Sequence, residues 1–180
     1  DPLPYNCCGI SVAANTSGPS PYEGKKEVDA MPTRKQSTAP DLEPFDPETG
    51  DLNAIIETPK GSRNKFKYDP DHNLYKLSGV LPAGAIFPFD FGFVPGTLGD
   101  DGDALDVLLL MDEPAFAGCL VPARLIGAIG ADQTESDRTE RNDRLIAVAS
   151  NSRNHAYVKA LSDLSDNLLN EIGHFFLSYN

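Results

Sequence analysis

Residues 99–110 read Gly99-Asp100-Asp101-Gly102-Asp103-Ala104-Leu105-Asp106-Val107-Leu108-Leu109-Leu110. An acidic, glycine-containing turn here feeds straight into a short apolar run, which is the pattern of a loop delivering a buried strand. Outward from it, short apolar segments bounded by turn residues recur at 54–57, 64–68, 74–77, 91–94, 105–111, 120–131 and 144–149. They predict a small antiparallel β protein. Near the end, Leu168, Leu169, Ile172, Phe175, Phe176 and Tyr179 fall at helical spacing. The spacing predicts an amphipathic helix over 166–180 laid against the sheet. Several short strands followed by one packing helix give a closed or nearly closed barrel with helical cover.

The turn itself carries four acids within seven residues, Asp100, Asp101, Asp103 and Asp106. Carboxylates that close repel one another unless a cation lies among them. Oxygen-only donors suit a hard divalent ion such as Mg²⁺, which recruits phosphate oxygens as further ligands. A solvated acidic turn is the plain alternative, because Asp-Gly is an ordinary turn dipeptide. The segment does not fit the calcium-binding EF-hand pattern, which needs its Gly and terminal Glu elsewhere.

Two other segments bear on that choice. Lys60-Gly61-Ser62-Arg63-Asn64-Lys65-Phe66-Lys67 is an isolated basic cluster in an acidic chain. It offers partners for phosphate oxygens, or else it protects a strand edge with lysines. Arg141-Asn142-Asp143-Arg144 opens another apolar strand and can bring one more carboxylate and one more cation to the same barrel mouth.

Composition narrows the function classes. The chain has 180 residues, 40% of them hydrophobic, and acidic residues outnumber basic ones 27 to 15 for a net charge of −12. Duplex binding relies on Lys and Arg neutralising phosphates, so nucleic acid is excluded as a partner, as is an anionic membrane surface. No apolar run approaches the ~18 residues that cross a bilayer, so a soluble protein is expected. Cys7, Cys8 and Cys119 form neither a disulfide framework nor a zinc pattern. No charged-then-apolar leader follows Asp1, and a reducing cytoplasm is the expected compartment. Residues 1–50 hold 8 of the 15 prolines and little periodic apolar pattern, so they read as a Pro-rich tail ahead of a domain at 51–180. His72, His155 and His174 are scattered, and neither a Gly-x-Ser-x-Gly elbow nor a P-loop or dinucleotide fingerprint is present. His174 reads as a structural residue of the apolar stretch in the helix.

Several segments in order resemble one family. They are Glu57-Thr58-Pro59, Asn64-Lys65, Phe87-Pro88-Phe89-Asp90-Phe91-Gly92-Phe93, Asp101-Gly102-Asp103-Ala104-Leu105-Asp106-Val107, and His174-Phe175-Phe176 followed by Tyr179. Together, over residues 53–180, they resemble the motifs of the soluble inorganic pyrophosphatases of the OB-barrel type. The resemblance implies a mainly β fold with α: a small OB-like five-stranded antiparallel barrel with covering helices. It implies Mg²⁺-dependent hydrolysis of inorganic diphosphate to two orthophosphates, in a homo-oligomer. Asp101 and Asp106 are by resemblance Mg²⁺ ligands, with Asp143 and Glu135 as further metal candidates. Asp103 is the base that helps generate the attacking hydroxide, and Glu57, Lys65, Arg144 and Tyr179 line the diphosphate pocket.

Departures from the family pattern mark a divergent branch. Gly79 stands where a phosphate-binding Arg is usual, Lys67 where a Glu is common, and Ala104 where the loop prefers Pro. Phe87 and Phe91 replace tyrosines, Asn142 takes an aspartate's place, Arg144 that of a Lys, and Asn180 follows Tyr179 in place of a Lys. Arg63 or Arg144 is the candidate to restore the cation absent at Gly79. The alternative function is a homologue that binds Mg²⁺ and a phosphate compound with slow or no hydrolysis.

Overall fold

A computed structural model describes residues 42–99, 102–130, 132–135, 138–141 and 143–179. Five strands close into a barrel: β1 (Leu52–Thr58), β4 (Asp90–Phe93), β5 (Asp106–Leu110), β9 (Arg144–Ala149) and β6 (Leu120–Ile129), in that order around the ring. Outside it lie two hairpins, β2 (Asn64–Asp69) with β3 (Leu74–Val80), and β7 (Asp132–Glu135) with β8 (Arg138–Arg141). A 3-10 turn, Leu161–Asp163, precedes the helix α1 (Asp166–Tyr179). No helix among the described residues is long and apolar enough to cross a membrane.

The expected strands are all present, with two refinements. Four of the barrel's pairings are antiparallel, but β5 and β9 run parallel, with Val107 opposite Leu145 and Leu110 opposite Val148. Local alternation cannot reveal this, since the same pattern serves either direction. The second refinement is the β7–β8 hairpin, which lies between the expected segments 120–131 and 144–149; its strands, Asp-Gln-Thr-Glu and Arg-Thr-Glu-Arg, contain no apolar side chain to signal a buried face.

Period-two alternation divides the apolar residues into two cores. Leu52, Ala54, Ile56, Val107, Leu109, Val121, Ala123, Ala147 and Ala149 fill the barrel, where small alanines suit a narrow lumen. Leu108, Leu110, Ile146 and Val148 face outward and pack with Phe87, Phe91, Ile172 and Phe176 beneath α1. The run Val107–Leu110 is continuous because β5 is covered on both faces. Ser165 caps α1 by accepting the Leu168 N–H on its Oγ at 3.3 Å, and Asp166 places a negative charge at the positive end of the helix dipole. His174, read as part of the apolar stretch, is exposed on the far side of α1; its neighbours Phe175 and Phe176 carry the packing.

Residues 42–50 lean on the barrel. Asn53 donates its backbone N–H to Pro44 O at 2.8 Å and its Nδ2 to Glu43 O at 2.9 Å, and Phe45 bridges to Leu52. Cys7 and Cys8 lie outside the described residues, and Cys119 is a free thiol.

Candidate active site

Parallel pairing of β5 and β9 has a direct consequence for chemistry. Because Val107 pairs with Leu145, the residues one step earlier, Asp106 and Arg144, enter the barrel side by side. Arg144 Nε lies 3.9 Å from Asp106 Oδ2. The arginine is buried, and its guanidinium carbon sits 4.6 Å from the centroid of the Phe176 ring on α1. A planar, weakly hydrated cation tolerates such a site as an ammonium would not.

The acidic turn is held ahead of β5 by backbone bonds. Val94 N donates to Leu105 O at 2.9 Å, Thr97 Oγ1 donates to Val94 O at 2.6 Å, and Leu105 N donates back to Thr97 Oγ1 at 2.9 Å. Gly99 N closes the turn on Asp103 O at 2.7 Å, and Gly102 takes a φ of 87°, a conformation that favours glycine. Asp103 therefore sits exposed on a stapled loop. Asp101 and Asn142 lie outside the described residues.

The basic hairpin leans over this loop. Thr58 anchors it, accepting the Phe66 N–H at 3.0 Å and donating its own hydroxyl to Phe66 O at 3.3 Å. Lys65 and Lys67 lie two residues apart on β2, so the pleat sends both to one face. Lys67 Nζ reaches Asp103 Oδ2 at 2.7 Å. That contact raises the Lys67 pKa, whereas burial lowers that of Lys65 against the opposing attraction of Asp106.

Glu57, near the end of β1, completes the cluster. Its Oε1 accepts the Tyr68 N–H at 2.6 Å, yet burial, aided by repulsion from Asp106, pushes its carboxyl up to about 7. Glu57, Lys65, Asp103, Asp106 and Arg144 of the expected set thus share one end of the barrel. Asp143 is half-buried at the entry to β9, Glu135 ends β7 and Tyr179 ends α1. Phe87 and Phe91 belong to the core under α1, their rings 6.2 Å apart. Arg63 donates its Nε to Leu81 O at 2.6 Å, while Arg144 stands within the cluster.

Lys67, read in the sequence only as part of the basic segment, joins this cluster through Asp103. Its alternation with Lys65 was the available signal. Elsewhere, Ser152, His155 and Asp112 form a cluster that looks catalytic by composition only. Ser152 Oγ and Asp112 Oδ1 both face the same ring nitrogen, His155 Nδ1, at 3.2 and 3.6 Å, whereas a nucleophilic triad uses both nitrogens. Asp112 instead accepts the Arg153 and Asn154 N–H groups and the Ser152 hydroxyl, which pins the loop after β9.

Among the described residues no three carboxylate, imidazole or thiol groups already form a metal cage. The donor chemistry nonetheless fits a hard cation. Asp103, Asp106 and Glu57 offer only oxygens, and Asp106 adds its repulsion to the burial that pushes the Glu57 carboxyl up.

The barrel gathers carboxylates, ammonium groups and a guanidinium at one end, donors that suit anions and hard cations. The inorganic pyrophosphatase family model matches residues 54–180, and the chain belongs to that family. It is 40% identical over 136 residues to the inorganic pyrophosphatase of Synechocystis, covering 76% of this chain and 78% of that protein. The crystal structure of the inorganic pyrophosphatase from Thermus thermophilus superposes with a TM-score of 0.69 at 33% identity, covering 78% of each chain. The inorganic pyrophosphatase of Helicobacter pylori superposes with a TM-score of 0.68 at 35% identity, covering 77% of this chain and 80% of the other.

Proposed function

We propose that this chain hydrolyses inorganic diphosphate to two orthophosphates with Mg²⁺ as cofactor, and that Asp103 is its general base. The observation that carries the reading is the meeting of Asp103 and Asp106 with Lys65, Lys67 and Arg144 at one barrel end, within a chain of this family. Asp101, Asp106 and Glu57, with Asp143 and Glu135 as outer candidates, would hold the metal. Bound there, Mg²⁺ supplies charge neutralisation for the phosphates and lowers the pKa of a water.

The chain's own groups do the rest. Asp103 accepts a proton from the water whose oxygen bonds to one phosphorus, while the anhydride P–O bond breaks and the bridging oxygen leaves on the second phosphate. Lys65 and Arg144 hold phosphate oxygens, and Tyr179 lines the same pocket. Arg144, fixed against Phe176, supplies a preorganised cation at a site whose Gly79 supplies none.

A cytoplasmic homo-oligomer accompanies this reading. The free Cys119 thiol supports the compartment, and exposed Leu74, Leu77, Val80, Leu98 and Phe116 support self-association. A second reading, a homologue that binds Mg²⁺ and a phosphate compound with slow turnover, draws on the Lys67 ammonium seated on Asp103. One assay separates the two. Orthophosphate release from diphosphate, with and without Mg²⁺, marks the enzyme; a diphosphate-induced rise in Tm without release marks the binding protein.

A further inference from the structure

Three cations stand around the acidic turn, and they are held very differently. Arg144 is buried under Phe176, and Lys65 is half-buried between Asp106 and Glu57. Lys67 makes a largely exposed ion pair with Asp103: its side chain is 49% exposed and that of Asp103 is 61% exposed. Such a pair is weak, because both heads keep much of their water.

The position is nonetheless specific. Lys67 crosses from the hairpin to a loop 36 residues further along the chain to reach one oxygen of the proposed base. The bulge that offsets β2 from β3 adds its extra residue at Ser78, so Lys65 and Lys67 keep their common face. Across from Lys65 on that face stands Gly79, where a Cβ would meet nothing nearer than Lys65 Cβ at 3.9 Å. No side chain therefore rises from Gly79 opposite Lys65. A lysine head, with three donors on a flexible stem, can move across such a gap where a guanidinium stacked on a ring cannot.

We propose that Lys67 is an exchangeable cation of this site: it occupies Asp103 in the metal-free protein and passes to a phosphate oxygen once Mg²⁺ and the phosphate ligand bind. Two effects follow from charge alone. On the empty protein the ammonium competes with Mg²⁺ for the acidic turn. In the loaded site it supplies the positive charge that Gly79 lacks. The identity of the anion rests on the diphosphate-hydrolase reading, but the exchange itself does not require turnover.

Isothermal titration calorimetry on the full chain tests it with two probes, Mg²⁺ alone and orthophosphate at saturating Mg²⁺. Lys67→Gln should bind Mg²⁺ alone roughly 2- to 5-fold more tightly than the parent, the worth of an exposed ion pair. The same variant should bind orthophosphate roughly tenfold more weakly, the worth of a charged hydrogen bond discounted for exposure. Lys67→Arg, which keeps the charge, should stay near the parent in both titrations. Unchanged or weaker Mg²⁺ binding by a folded Lys67→Gln, or unchanged orthophosphate binding, would overturn the proposal. A parent that releases no phosphate from diphosphate would sink the hydrolase reading, while the two affinities would still decide the role of Lys67.

Discussion

Tyr68 N donates to Glu57 Oε1 at 2.6 Å, tying a half-buried carboxyl of β1 to the strand that carries Lys65 and Lys67. One backbone hydrogen bond does not offset the loss of water, and the Glu57 pKa rises from 4.5 to about 7. The folded, metal-free chain therefore binds more protons than the unfolded chain between those values, so its stability falls as pH rises across that window. Glu57→Gln should remove the slope and raise the Tm at pH 8, with the gain at most about 3 kcal/mol. Melting curves from pH 5 to 8 in chelator check this. A variant with the parent's slope would place the titrating group elsewhere.

Gly92 on β4 lets the backbone of β1 approach closely. A Cβ there would lie 2.8 Å from Ile55 C and 2.9 Å from Ile56 Cα, and closer still to Ile55 O. These are backbone atoms of β1, which cannot rotate away. Gly92→Ala should cost about 3 kcal/mol or more, as overpacking against rigid neighbours does. The urea midpoint reads it directly, and a parental midpoint would show that β1 can shift.

Gly79, in contrast, is permissive. Its only near neighbour for a Cβ is Lys65 Cβ at 3.9 Å, and its φ is not in the left-handed region. Gly79→Arg should lower the KM for magnesium diphosphate roughly tenfold by adding a bidentate donor. Steady-state kinetics check this, and an unchanged KM in a folded variant would mean that the phosphate gains nothing from a bidentate donor added to Lys67 and Arg144.

The Pro-rich segment should be separable from the domain, since its composition cannot offset the entropy of ordering it. The boundary matters. Removing residues 1–41 should leave the Tm within about 2 °C, whereas removing 1–50 should lower it further, because Asn53 then loses Pro44 O and Glu43 O. Limited proteolysis gives an independent check, with a resistant fragment expected to begin near Leu42.

Much of this protein could be read from residue order, for physical reasons that also explain what could not. β5 was legible because Val107–Leu110 is buried on both faces, and α1 because Ile172 and Phe176 repeat at the helical period. The β7–β8 hairpin was not, since Asp-Gln-Thr-Glu and Arg-Thr-Glu-Arg hold no apolar residue to show an alternation. The parallel partnership of β5 and β9, which brings Arg144 to Asp106, depends on the path of the chain around the barrel rather than on either strand. Burial of Arg144 likewise depends on Phe176 arriving from α1. The shared face of Lys65 and Lys67 was written in their spacing, but the partner of Lys67 is set by how the hairpin folds over the acidic turn.

The assignment of Asp103 is tested most directly by the initial rate of orthophosphate release from diphosphate at saturating Mg²⁺, parent against Asp103→Asn. Asparagine keeps the size of the side chain and abolishes its basicity. The parent should turn over and lose activity in chelator, and the variant should be slower by ~10²–10⁴-fold with Mg²⁺ affinity within a few-fold of the parent. Equal rates in parent and variant would contradict the account and leave the stapled turn as a metal-binding or structural loop only.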